Sequence, residues 1–409
     1  MHSADRPPSR RAFLDVTGVT GVTVAAGLLA GCSGDSARSA RSARSAASDG
    51  SDGSDRSDRS GDPAPSASAT PTPVAVTGRY QAGVTLPRAA QPHLLALVAD
   101  LGAAVPPGPL LAELGETIQT LAAGSDPRLL GLSPGDVTVT VGVGPRLVRT
   151  AGATLPGATD LPPFSRERVA SRDRGGDLLI QICAGDALLL PLTAAALLDQ
   201  VGDRVQERWR QFGRRGAEVP VAEDRSAPRN LLGFIDGIVG PHTTAEQERD
   251  LWLAGPPAVA GGTLAVLRRM EIDLTRFAAL SVAEQEAVFG RRRAGGEPLS
   301  GGGVDAAPGL NAKTPEGRYL VPVDAHVRRA NPTVVGVGHM LRRSYSIDDP
   351  APGLLFISFQ NDLRTFTATL ARMDTSDALL PFTTTTASAT FLILPGYDPR
   401  RPLGSTLFG

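Results

Sequence analysis

Asp136-Val-Thr-Val-Thr-Val141 alternates polar and apolar residues without a break, the pattern of a half-buried strand. Further on, Asp177-Leu-Leu-Ile-Gln-Ile182 is more apolar and reads as a central strand. Upstream, Tyr80-Gln-Ala-Gly-Val-Thr85 reads as a first strand, and Leu94, Leu95, Val98 and Leu101 have helical spacing. Downstream, Ala194, Leu197, Leu198, Val201, Val205, Trp209 and Phe212 fall on one helical face. Arg214-Arg-Gly-Ala-Glu218 ends that helix, and a connection runs to Pro228. Strand, helix, strand, strand, helix is the order of a ferredoxin-like split unit, and the fold class is α+β.

The second half repeats the theme. Gly262-Thr-Leu-Ala-Val-Leu267 reads as a strand that Arg268-Arg-Met-Glu-Ile272 extends. A helix follows from Leu274, and Ser281-Val-Ala-Glu284 is a capping box for another. Residues 291–313 are rich in Gly and charge and read as a loop. Gly353-Leu-Leu-Phe-Ile-Ser-Phe359 is a strand; Phe359, Leu363, Phe366, Leu370 and Met373 then follow at helical spacing, as core packing. Ala389-Thr-Phe-Leu-Ile-Leu394 is a last strand, ended by Pro395 and Gly396. The expectation is two ferredoxin-like domains packed together, over residues 78–220 and 221–409.

Chemistry concentrates in the second half. Asp324-Ala-His-Val-Arg-Arg-Ala-Asn-Pro332 runs on to Met340-Leu-Arg-Arg-Ser-Tyr345, with Val334-Val-Gly-Val-Gly338 as a loop between. A neutral imidazole at His326 can bind a transition metal. Arg342 is a permanent cation. Gly233-Phe-Ile-Asp-Gly237 places Asp236 between two glycines that let the backbone pass close to a flat ligand. Each part has a plain structural reading: a satisfied histidine, a solvated arginine pair, a tight turn. Together they supply a metal ligand, a fixed cation and a carboxylate.

Arg229-Asn-Leu-Leu-Gly-Phe-Ile-Asp-Gly237 resembles the Gly-x-x-Asp-Gly signature of dye-decolourising haem peroxidases. Asp324 to Pro332, followed by Leu341-Arg-Arg-Ser-Tyr345, resembles their proximal-histidine and distal-arginine segments. The likeness is to the exported branch, which includes proteins proposed to strip iron from haem, and it covers about Gly78 to the C-terminus. It implies non-covalent haem b, one per chain, with His326 on the iron. Asp236 would relay a proton between the oxygens of hydrogen peroxide. Arg342 would steady the negative charge that develops on them. Gly237, Ile238, Val239, Asn331, Pro332 and Thr333 would line the cofactor. The electron donor would be a dye, a phenol or a similar organic molecule. The rival is a haem-binding lipoprotein for iron or haem acquisition with minor peroxidase activity.

The chain departs from that family at Ile238-Val-Gly-Pro-His242, where Thr and then Asn are usual, and at Ser344, where Gly is usual. Arg343 is expected to face solvent or a haem propionate. A carboxylate should hold the other ring nitrogen of the iron-bound histidine; Asp377 is the first candidate and Asp362 the second. His242 and His339 read as a loop histidine and a lesser rival ligand. His93 and Asp186 read as structural, and Trp209 as core. Tyr345 and Trp252 are candidate electron relays against a plainer reading as packing residues.

The N-terminus carries Ser9-Arg-Arg-Ala-Phe-Leu14, a twin-arginine export signal, then an uncharged run from Val16 to Gly34 too Gly-broken for a membrane span. Leu29-Ala-Gly-Cys32 is a lipoprotein-type cleavage box, so residues 1–32 read as a signal with Cys32 lipidated. Residues 33–77 form a Ser-, Ala-, Asp- and Pro-rich tether with too little apolar bulk to order itself. Export by the twin-arginine machinery to the cell surface or medium follows, with membrane contact only through Cys32. The chain has two cysteines, Cys32 and Cys183, and no Cys-x-x-Cys-His for thioether-linked haem. Cys183 reads as a buried strand residue. A net charge of −1 gives no basis for nucleic-acid binding. Self-association into a homo-oligomer is left open.

Overall fold

The computed structural model describes residues 72–223 and 225–409. The export signal, Cys32 and the tether up to residue 71 lie outside the described residues.

The first half builds β1 (His93–Leu101), α1 (Pro107–Ala122), β2 (Thr138–Val143), α2 (Pro145–Ala151), β3 (Leu178–Ala184), α3 (Leu189–Val201), β4 (Val205–Arg214) and a hairpin of β5 (Glu218–Ala222) and β6 (Arg225–Pro228). The second half builds α4 (Thr244–Asp250), β7 (Thr263–Ile272), α5 (Leu274–Ala278), α6 (Val282–Phe289), α7 (His326–Arg329), β8 (Leu341–Arg342), β9 (Tyr345–Ile347), β10 (Gly353–Gln360), α8 (Leu363–Ser376) and β11 (Thr383–Ile393).

The four main strands of the first half lie in the order β4-β1-β3-β2, and those of the second in the order β11-β7-β10-β9. Each is the sheet of a ferredoxin-like unit. The units join where β11 pairs with β2 (Leu392 opposite Val143) and β4 with β9 (Arg214 opposite Ser346). Because β7 also pairs with β10, the sheet closes into an antiparallel barrel without a long open edge. β8 and β9 run along β10 in one register, Arg342 opposite Ser358 and Tyr345 opposite Leu355, so they are one interrupted strand.

Two expectations fail at the start of the chain. The helix expected around Leu94 to Leu101 is β1, and Tyr80 to Thr85 is bend and turn. Leu94, Ala96 and Val98 enter the cluster that also holds Trp209, Leu267 and Phe359. Leu95, Leu97, Ala99 and Leu101 pack with Leu110, Leu114 and Leu197 of α1 and α3. A strand buried on both faces loses its polar alternation and can mimic a helical stripe. Residues 80–85 instead lie against the unit seam: the Gln81 amide donates to Val141 O (2.8 Å) and Leu394 O (2.9 Å) and accepts from Val141 N (2.8 Å).

β2 is buried on both faces too, since Thr138 and Thr140 are as covered as Val139 and Val141. Thr140 Oγ1 donates to Ala82 O (2.7 Å), which lets a polar residue sit there. The long helical face expected to run to Phe212 stops at Val201, where Gly202 takes φ 52°. Trp209 and Phe212 therefore sit on β4, with Trp209 in the core and Phe212 half-exposed. In the second half β7, the Ser281–Glu284 capping box, β10, α8 and β11 lie where the pattern puts them. Phe359 ends a strand, and the helical stripe begins at Leu363.

Candidate active site

The turn that carries Asp236 is built by one side chain. Asn230 Oδ1 accepts from the backbone N–H of Leu232 (3.0 Å) and Phe234 (3.1 Å), while Gly233 takes φ +84° and Gly237 φ +79°. Asp236 N donates to Pro228 O (2.9 Å), and Gly237 N donates to Asp236 Oδ1 (2.8 Å). The carboxylate is half-buried and lines a cavity of about 10 Å³ with Arg215, Arg229, Asn230 and Ser344. His242 is exposed, and its Nε2 meets Ile238 O at 3.2 Å, tying the loop to itself.

His326 opens the short helix α7, and Asp377 sits just past the end of α8. His326 Nδ1 and Asp377 Oδ2 are 2.9 Å apart. The Asp377 side chain is fully buried, the His326 side chain 26% exposed. Leu379 N donates to the other oxygen, Oδ1, at 2.8 Å. With both oxygens accepting, the proton belongs on Nδ1, and the Nε2 lone pair points away from the carboxylate. Among the described residues nothing hydrogen-bonds Nε2. Asp362, the second candidate partner, instead caps α8 by accepting from Arg364 N (2.8 Å).

Asn331 Oδ1 accepts from Thr333 N (3.0 Å) and Thr333 Oγ1 (2.7 Å), and buried Pro332 starts a 3-10 turn through Val335. The expected loop 334–338 is thus ordered turn over its first residues.

Arg342 and Arg343 have opposite environments because strand residues alternate faces. Leu341, Tyr345 and Ile347 all pack on the barrel's inner cluster, and Arg343 shares their face. It is buried and donates to Pro87 O and Arg88 O, and burial pulls its pKa down. The expectation that Arg343 meets solvent or a propionate is therefore corrected. Arg342 lies on the outer face with Ser344, which lines the Asp236 cavity. Its guanidinium has no hydrogen bond or ion pair among the described residues.

Aromatic contacts join the segments. Phe234, inside the Asp236 turn, stacks on Phe289 at the end of α6 (centroids 3.8 Å, planes 14° apart). Phe289 in turn meets the His326 ring edge-on at 5.9 Å. Next to it Gly290 lies so close to α7 that an added methyl would come within 2.5 Å of Val327. A methyl added at Gly240 would sit 3.7 Å from the Met340 carbonyl, so the loop after Asp236 abuts the approach to Arg342. The sequence reading missed Phe289; its position one turn past a strong capping box was the available signal.

The residues fit a haem. One imidazole, fixed through Nδ1, offers Nε2 to a metal, and no cluster of three or more His, Cys, Asp or Glu competes for a bare ion among the described residues. Val239, Val323 and Val334 expose apolar side chains along the same segments. Cys183 is no ligand: it is buried, and burial pushes its thiol up to about 11.

Residues 81–215 match the family profile of Dyp-type peroxidase, N-terminal, and residues 227–398 that of Dyp-type peroxidase, C-terminal. A dye-decolorizing peroxidase of Thermobifida fusca is 34% identical over 295 residues, 68% of each chain. A deferrochelatase of Yersinia pestis is 29% identical over 355 residues, 78% of this chain and 81% of that one. The solved oxyferrous complex of DtpA from Streptomyces lividans superposes with a TM-score of 0.77 at 28% identity, covering 85% of this chain and 100% of that one. With sequence, halves and barrel all in agreement, the chain belongs to the Dyp-type peroxidase family: it is a peroxidase, and haem is its cofactor.

Proposed function

We propose that His326 would hold the haem iron through Nε2 and that Asp236 and Arg342 act on hydrogen peroxide. Haem, when bound, would supply the redox chemistry, a centre able to give two electrons to peroxide. Asp377 keeps the imidazole oriented and electron-rich. Asp236 takes the proton from one peroxide oxygen and delivers it to the other, so that water leaves rather than hydroxide. Arg342, without a side-chain hydrogen bond or ion pair among the described residues, is available to hold the charge on the oxygens. Gly237, Ile238, Val239, Asn331, Pro332 and Thr333 would help hold the haem. The donors would be dyes, phenols or similar molecules, the first suggested by the name of the Thermobifida relative.

The observation that supports this most is the Asp377-held His326 ring meeting Phe289, which also stacks beneath the Asp236 turn. The test is a haem titration followed by peroxide. Wild type should give a Soret band that peroxide shifts, His326→Ala should lose the band, and Asp236→Asn should keep the band but lose the peroxide response. A normal band in His326→Ala would refute the ligand assignment.

A second reading, uptake of haem or its iron, draws on the likeness to a protein named deferrochelatase. A carrier needs no proton relay, so haem or iron transfer undiminished in Asp236→Asn, beside negligible peroxide turnover in wild type, would favour it. We place the protein outside the cytoplasm, exported through the twin-arginine signal and anchored at Cys32; palmitate labelling of wild type against Cys32→Ser tests the anchor.

A further inference from the structure

The barrel interior holds two reactive groups that the peroxide site does not use. Tyr345 on β9 is 1% exposed and Cys183 on β3 is 2% exposed, and both lie in the inner cluster with Trp209, Leu267 and Phe359. The Tyr345 hydroxyl donates to Cys183 Sγ at 3.6 Å, between positions 162 residues apart in the chain. Among the described residues that is the hydroxyl's one hydrogen bond. Buried phenols normally find an oxygen or a nitrogen, and a thiol sulfur is a weak acceptor. A phenylalanine would fill the same space without a poorly satisfied polar group.

The thiol is shut off from ordinary nucleophilic chemistry. Burial lifts it to about 11 and lifts the Tyr345 hydroxyl well above its usual value, so both keep their protons. Removal of an electron needs neither a thiolate nor a solvent path. Once an electron has gone, nearby cations drive off the phenolic proton. Arg215 lies over the Tyr345 ring, 5.7 Å from its centroid, and Arg343 acts on both the hydroxyl and the thiol. The oxidant is made nearby: Tyr345 follows Arg342 by three residues, and Arg215 and Ser344 both line the cavity at Asp236.

We infer that Cys183 and Tyr345 form a self-modification site, where oxidising equivalents from hydrogen peroxide join Sγ to the ring carbon beside the Tyr345 hydroxyl. For its oxidant this rests on the peroxide reading of the His326–Asp236 site.

The step balances. The first equivalent takes one electron from Tyr345 and the phenolic proton leaves, which spreads unpaired spin to the ring carbons beside the oxygen. The sulfur that faces the oxygen is next to one of those carbons. An S–C bond forms there, and the thiol proton leaves. The second equivalent takes one electron from the adduct, and the hydrogen on the bonded carbon moves to the oxygen, restoring the phenol. One S–H and one C–H bond have broken and one S–C bond has formed. The two electrons and two protons lost convert one hydrogen peroxide to two waters.

The link would tie the two halves of the barrel together. β3 belongs to the first unit and β9 to the second, and β1 and β4 separate them in the sheet. A bond between them closes a loop over that 162-residue separation, and such a bond stabilises chiefly by restricting the unfolded chain, as a disulfide does. Unlike a disulfide, it survives reductant.

The test gives haem-loaded protein one equivalent of hydrogen peroxide with no donor, then denatures, alkylates and digests it. Wild type should yield the Cys183 and Tyr345 peptides joined, lighter by two hydrogens than their sum, and should lose the Cys183 thiol that untreated protein shows in denaturant. The treated chain should run faster than the untreated one in reducing gel electrophoresis and unfold at higher urea. Cys183→Ser and Tyr345→Phe should show none of these changes. A second arm needs no haem: photogenerated ruthenium(III) tris-bipyridine should form the same joined peptide in the apoprotein. Separate peptides after a peroxide dose that shifts the Soret band, or oxygen added to Cys183 in place of the link, overturns the inference. If the band did not respond to peroxide, the catalytic reading would fail and the haem-free arm would decide: joined peptides uphold the pair as the oxidation site, separate ones discard it.

Discussion

Phe234 lies flat on Phe289, and Phe289 meets the imidazole of His326 at a steep angle, with centroids 5.9 Å apart. One phenyl ring thus links the turn that carries Asp236 to the helix that carries His326. Phe277 meets Phe289 edge-on, and Phe382 in turn meets Phe277 edge-on. Rings in such contacts contribute about 0.5–1.5 kcal/mol per pair beyond their buried area.

Phe289→Ala should therefore cost roughly 3 kcal/mol of stability, the low end for a phenylalanine truncation because the ring is half-buried. It should also loosen haem, since both walls lose their common support. Phe289→Leu should recover most of the stability. Urea denaturation of the apoprotein and a haem titration measure the two effects, and loss of stability with unaltered haem affinity would show that the ring supports only the fold.

Asp377→Asn keeps an acceptor for the His326 proton and removes the negative charge behind it. The imidazole becomes a weaker electron donor, so the haem reduction potential should rise. Haem affinity should fall about 10- to 100-fold, the usual effect of changing such a partner. Spectroelectrochemistry reads the first and titration the second; a potential that stayed put would mean the pair only positions the ring.

Glu286 links α6 to the loop that follows. Burial raises its pKa, but the Arg293 N–H (3.0 Å) and the Arg292 guanidinium (2.7 Å) outweigh that and leave it below the ordinary value. A carboxylate depressed in the folded state stabilises above its unfolded pKa, and that contribution fades as pH falls through the folded one. Glu286→Gln should be less stable at neutral pH and should converge with wild type in acid. A mutant curve running parallel to wild type from pH 7 down to pH 3 would contradict this.

Cys183 gives the opposite sign. Burial raises its thiol from 9.0 to about 11, and Arg343 and the Tyr345 hydroxyl (3.6 Å from Sγ) only partly oppose it. The unfolded thiol ionises first as pH rises, so this contribution is complete below pH 8 and is lost between 9 and 11. At pH 8 the native thiolate fraction is on the order of one in a thousand. Iodoacetamide at pH 8 should therefore modify the Cys183 peptide only after denaturant is added.

The second half of the barrel was readable because its elements carry local signals: the Ser281–Glu284 capping box, the strands at Thr263–Ile272 and Gly353–Gln360, and the stripe of α8. The first half was harder for a physical reason. His93–Leu101 is packed on one face by helices and on the other by the barrel interior, so polarity carries no period and chance spacing looked helical. The helical face was carried past Val201 because Val205, Trp209 and Phe212 continue an i, i+4 rhythm, though Gly202 had already broken the chain. At the site, His326, Asp236 and Arg342 stand out by type and context, and Asp377 could be named although 51 residues separate it from His326. Phe289 could not, since a ring that bridges two segments is marked only by tertiary contact.

The neighbouring arginines test whether strand alternation was the right guide. Leu341 and Tyr345 flank Arg342-Arg-Ser344 with apolar side chains four apart, which on a strand puts Arg343 on their face and Arg342 on the other. Arg343→Leu would remove two hydrogen bonds, to the half-buried Pro87 and the exposed Arg88, at a cost of about 0.5–1.5 kcal/mol for each. Whatever fraction folds should turn over peroxide normally. Arg342→Leu breaks no side-chain hydrogen bond among the described residues, so stability should move by less than about 0.5 kcal/mol. Its peroxide-dependent kcat/KM should fall by about 10²- to 10³-fold, the loss expected from one charge-stabilising donor. Thermal denaturation beside steady-state kinetics separates the two. A destabilised Arg342→Leu with intact turnover, or an inactive but fully stable Arg343→Leu, would reverse the faces and with them the distal assignment.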